Sequence, residues 1–114
     1  MSGTEKIEQA LKEKADELAA KARENFGEMA EQAEAEMRAF HDESKRDLVQ
    51  FGMDLADKRI TMDEFKILMQ GKQERLVIKY EKFKGMARVE VGEFAKQAVG
   101  DLTLTLGKAA LEKI

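Results

Sequence analysis

The chain has 114 residues, 38% of them charged, a formal net charge of −3, and no Pro, Cys or Trp. Without Cys there is no disulfide framework and no thiol chemistry. The start, MSGTEKIEQALKEK, lacks an apolar core for a secretory signal, and no apolar run is long enough for a conventional membrane span, so the expectation is a soluble, cytoplasmic protein.

The remaining composition is that of long helices. Ala, Glu, Lys, Met and Leu are strong helix formers, and proline, the commonest breaker, is missing. Charge is uneven along the chain. Residues 1–57 carry a net of −7 and residues 58–114 a net of +4. A basic half raises the question of nucleic acid. The nearer partner is the acidic half of the same chain, which predicts a chain folded back on itself and no nucleic-acid binding.

The first predicted element runs over about 4–56. Its apolar stripe is Ile7, Leu11, Ala15, Leu18, Ala22, Phe26, Met29, Ala33, Met37, Phe40, Ser44, Leu48, Phe51 and Leu55. The steps are 4, 4, 3 throughout, an 11-residue repeat whose only polar member is Ser44. Eleven residues over three turns match the natural helix closely, so the expectation is a nearly straight hendecad rod of coiled-coil type, about 75 Å long. The opposite face, with Gln9, Ala20, Glu31 and Asp42, is mostly polar and suits water.

The next stretch, LADKRITMDEFKILM, resembles the back half of a calcium-binding EF-hand. Aligned on Ile60, Thr61 and Glu64, however, the first and third ligand positions are Met53 and Leu55, and the glycine position is Lys58. Calcium needs oxygen ligands at both and a glycine at the sixth position. As a turn, every residue fits. Asp57-Lys58-Arg59 is the exposed connection, Thr61 caps a helix, and Glu64 three residues on completes a capping box. Ile60 and Phe65 occupy the hydrophobic-staple positions, and Asp63 and Glu64 suit the positive helix end.

The second predicted helix spans about 62–112 and keeps the same rhythm through Phe65, Met69, Lys72, Leu76, Tyr80, Phe83, Ala87, Val91, Phe94, Ala98, Leu102, Thr105 and Ala109. Gly85, Gly92 and Gly100 weaken it, each by about 1 kcal/mol relative to Ala, and leave room for a break near 85–92. DLTLTLG alternates like a strand but is read as helix. The whole chain, 1–114, is therefore predicted to be one all-α domain, an antiparallel helical hairpin turning at about 57–61.

One feature of helix two has no partner in a hairpin. Its second face carries Ile67, Ile78 and Val89, eleven apart, with Leu104 close by and Gly71, Gly85 and Gly100 on or beside it. A helix apolar on two faces is normally buried on both. These seven residues form the candidate interface for a second copy or a partner helix. The internal alternative folds the last third back over that face as a third helix.

Catalytic chemistry is not expected. The single His41 has Arg38 three residues before it, so there is no Glu-x-x-His di-iron pattern; it is read as an exposed histidine beside the seam. Carboxylates such as Glu28, Glu31, Glu34 and Glu36 lie off the stripe. There is no phosphate-binding glycine loop and no nucleophile triad. The expectation is a non-catalytic interaction protein with no cofactor, metal or small-molecule substrate. Two further readings stand beside it. Eleven-residue amphipathic repeats are similar to those of apolipoproteins and granule-coating proteins, which implies a lipid-surface or membrane-inserting role, with the Lys- and Arg-rich helix two as the contact. The length and hairpin layout are also similar to those of WXG-type secretion substrates, although Asp57-Lys58-Arg59 replaces the Trp-x-Gly turn.

Overall fold

The computed structural model describes residues 3–83 and 88–112, and these are helical apart from short turns. Four helices follow one another: α1 (Gly3–Asn25), α2 (Ala30–Ala56), α3 (Met62–Glu81) and α4 (Arg88–Glu112). A single 3₁₀ turn, Gly27–Met29, links the first two. The all-α class and the central hairpin are as the sequence predicts.

The hairpin turn is built as read. Thr61 Oγ1 accepts from the Glu64 amide at 3.1 Å, and the Thr61 amide donates to Glu64 Oε1 at 2.9 Å, a full capping box. The end of α2 closes as a Schellman motif. The Arg59 amide reaches the Asp54 carbonyl at 2.8 Å and the Lys58 amide reaches the Leu55 carbonyl at 3.1 Å. The residue that takes the left-handed conformation is Lys58, at φ 60°.

Each arm of the hairpin is itself folded. The rhythm from Ile7 to Leu55 predicts one rod of about 75 Å, but the molecule measures 45 × 26 × 18 Å. The first arm breaks at Phe26–Met29, where Gly27 takes φ +51°. A residue in that conformation cannot continue a right-handed helix, and glycine adopts it without steric cost. The spacing hides this break because the tight turn keeps the helical phase: Phe26 before it is buried and Met29 after it packs on the core. In the second arm α3 ends at Glu81 and α4 begins at Arg88; of the 85–92 window, residues 88–92 are helical and the earlier part lies outside the described residues. DLTLTLG lies within α4, where Thr103 Oγ1 donates to the Val99 carbonyl one turn back.

Two turns at one end and one at the other give an up-down-up-down four-helix bundle. Helix α1 packs on α2 and α4, α3 packs on the same two, and α2 and α4 meet across the diagonal. The apolar stripes form the shared core, from Ile7, Leu11 and Leu18 to Val91, Leu102 and Leu106. Near the α1–α2 and α3–α4 turns the core is aromatic. Phe26 stacks on Tyr80 at 4.7 Å between centroids, with Phe83 and Phe94 edge-on to both. The Tyr80 hydroxyl donates to the Ala33 carbonyl at 2.7 Å, tying the end of α3 to the start of α2. Burial and the nearby Glu36 carboxylate push the phenol well above its ordinary pKa. At the other end Gly52 lets α1 and α2 approach closely: a Cβ there would lie 3.1 Å from Ile7 Cγ2.

The two charged halves do meet. Lys72 and Lys79 of α3, and Lys82 just past its end, pair with Asp47, Glu43 and Glu36 of α2. Lys72 is the seam's buried cation. Its ammonium lies 2.7 Å from Asp47 and over the Phe51 ring at 5.9 Å. The hydrogen bond and the charge of Lys72 hold the Asp47 carboxyl below its ordinary value.

Candidate interaction surface

The position of α4 determines what remains uncovered. The last third does fold back, as in the internal alternative, but it covers the seam and leaves the second face bare. Ile67 and Ile78 on α3 are 65% and 66% exposed, and Val89 and Leu104 on α4 are 76% and 75% exposed. Gly71 and Gly100 are exposed beside them, with open space where a side chain would stand. Gly85 lies outside the described residues. The candidate residues therefore sit on two antiparallel helices rather than along one. Because α4 packs antiparallel on α3, Leu104 lies alongside the beginning of α3, near Met62 and Lys66, instead of far along a single rod.

Helical geometry explains the exposure. On α3 the residues Phe65, Met69, Lys72, Leu76 and Tyr80 point inwards, and Ile67 and Ile78 fall half a turn away. On α4 the buried apolar residues are Val91, Ala95, Ala98, Val99, Leu102, Leu106, Ala109 and Ala110, and Val89, Gly100 and Leu104 stand on the exposed side. Large apolar side chains on the water side lack any intramolecular reason to be there. All four lie on the α3–α4 side of the bundle.

Between the two helices runs an open cleft. One part, of about 820 Å³, is bordered by Gln70, Gln73, Gln97, Gly100 and Leu104. It adjoins a second part of about 570 Å³ with Met62, Leu104, Gly107 and Leu111, where Lys66 and Lys108 stand at the rim. Leu104, Lys66 and Thr103 belong to both parts. Leu111, 55% exposed, extends the apolar strip beyond the residues read from sequence. Its signal was present, because Leu111 continues the eleven-residue column of Val89 and Gly100. At the outer edge Lys21 of α1 pairs with Asp101 at 3.2 Å, and that contact holds the lysine's pKa above its ordinary value.

Among the described residues no three His, Asp or Glu side chains stand together in a way that could hold a metal ion. His41 is not the exposed residue expected from sequence. It is largely covered where α1 packs on α2, with Nδ1 3.5 Å from Asp42 Oδ1 and Nε2 buried without a hydrogen-bond partner. Glu8, Lys12 and Lys45 border a shallow polar groove beside it. No described helix is long and apolar enough to cross a membrane. Comparison with protein-family models, with curated proteins and with solved structures finds no match.

Proposed function

We propose that this chain is a non-catalytic helical interaction protein whose α3–α4 surface docks on an apolar helix face, supplied by another copy or by a partner. The observation that carries the reading is the set of four large aliphatic side chains, Ile67, Ile78, Val89 and Leu104, each more than half exposed on one side of a bundle whose core is otherwise closed. Truncating or charging them does not touch the core, so their chemistry serves something outside the fold. Helix-on-helix docking needs only such a strip with small residues beside it.

The test is sedimentation velocity on the native chain and on Leu104→Asp, with circular dichroism to check the fold. The native chain is expected to sediment as a species heavier than its own 12.9 kDa. The variant is expected to keep its helicity and to sediment as a single chain. Equal sedimentation of both as single chains at all concentrations contradicts self-association.

A lipid surface is the second reading, favoured by Lys66 and Lys108 at the rim of the apolar cleft. Glu93 and Glu112 on the same surface oppose it, because interfacial helices concentrate cations on their polar flanks. Co-sedimentation of the native chain, but not Leu104→Asp, with anionic phosphatidylserine vesicles would support the lipid surface over a protein partner.

A further inference from the structure

We infer that the occupant of this surface is a second copy of the chain, related by a two-fold axis that crosses α4 at Gly100, so that the two α4 helices run antiparallel. This rests on the reading of the α3–α4 surface as a docking face. It adds the partner and the geometry.

The surface maps onto itself. In an antiparallel pair crossing at Gly100, a residue n places before Gly100 faces the residue n places after it on the other copy. Val89 is eleven before and Leu111 eleven after, both exposed and apolar. Lys96 is four before and Leu104 four after, so the lysine stem lies over the leucine while its ammonium reaches water. Glu93 is seven before, level with Gly107, which is buried against Met62 and Phe65; the exposed Lys108 next to it is the residue that Glu93 meets, and symmetry makes the same ion pair twice. Gly100 meets its own copy, and nothing lies within 4 Å of where its side chain would be.

The same rotation also satisfies α3. Ile67 and Ile78, the exposed pair there, are symmetric about the point between residues 72 and 73. That point and Gly100 stand near the same height in the bundle, since Gln70, Gln73, Gln97 and Gly100 border one cleft. One half-turn about an axis across both helices therefore exchanges the ends of both apolar columns at once. An isologous interface requires this self-complementarity. A different partner would not. The charges agree, since α4 carries both signs, with Lys96 and Lys108 between Glu93 and Glu112, instead of the single-sign field that a membrane or a highly charged partner would select.

The chain has no Cys, so one introduced thiol reports one position. Gly100→Cys is expected to form a disulfide-linked dimer under mild oxidation, because thiols at the axis come within the about 4.4–6.8 Å Cα separation that a disulfide spans. Ala35→Cys, exposed on α2, is expected to stay monomeric under the same conditions. The second arm is independent of any crowding at position 100. Glu93→Lys and Lys108→Glu are each expected to weaken dimerisation about tenfold, and the double reversal to recover most of it. A dimer that Leu104→Asp dissociates, but that neither cross-links at 100 nor responds to the charge swap, overturns the two-fold geometry and leaves the docking face standing. A single chain of 12.9 kDa throughout, with no cross-link, overturns both.

Discussion

One buried residue, Lys72, shows how the fold tolerates a charged group in its core. Lys72 occupies a seam position where a leucine would fit the pattern, and its ammonium is met there by Asp47 and the Phe51 ring. Asp47→Asn is expected to cost about 1–2 kcal/mol in denaturant unfolding, with the lower part of the range set by the aspartate's own exposure. The pH dependence has a definite sign. The carboxyl is held below its ordinary 3.8, so the pair's stabilisation is present above that pH and is lost as pH falls through the lower folded value. The native chain is therefore expected to lose more stability than Asp47→Asn on acidification below about pH 4, as read by unfolding at matched denaturant. Phe83 provides the apolar counterpart. Its ring is edge-on to both Phe26 and Tyr80, so Phe83→Asp is expected to cost about 3–5 kcal/mol by leaving a cavity and a buried charge in the aromatic cluster. An unchanged melting temperature would refute its placement there.

At the scale of elements, the two chain reversals flanking α2 use opposite residue choices. Gly27 occupies a left-handed position that suits it, whereas Lys58 occupies one that costs it strain. Gly27→Ala is expected to destabilise the bundle by about 1 kcal/mol, and Lys58→Gly to stabilise it by a similar amount, roughly 4 °C in opposite directions on thermal melting. These sites also mark the limit of what the residues disclose before folding. The seam and the capping box were legible because both are local: spacing fixes a face, and Thr61 and Glu64 need only three residues of separation. The break at Gly27 was not, because Phe26 and Met29 keep step across it, and apolar rhythm reports phase rather than continuity. The Tyr80–Ala33 hydrogen bond and the burial of His41 were invisible for another reason. Both arise where helices distant in sequence meet, and that geometry follows only once each arm has folded on itself. The candidate surface was read residue by residue from its eleven-fold spacing. Its division over two antiparallel helices, and the addition of Leu111, required the α3–α4 turn.

The whole molecule joins a closed core to an open flank. Folding each arm in two buries both stripes within a bundle 45 Å long, yet leaves Ile67, Ile78, Val89 and Leu104 in water. Ile78→Asp is expected to leave helicity and monomer unfolding within about 0.5 kcal/mol of native, as for an exposed site, while reducing the assembled mass. Loss of helicity instead would place Ile78 in the core and contradict the bundle. The most direct measurement is absolute mass by light scattering after size exclusion, on the native chain at two concentrations a hundredfold apart. The account expects about twice 12.9 kDa at the higher concentration, with any fall on dilution tending towards 12.9 kDa. A mass of 12.9 kDa at both would contradict burial of the α3–α4 surface between copies.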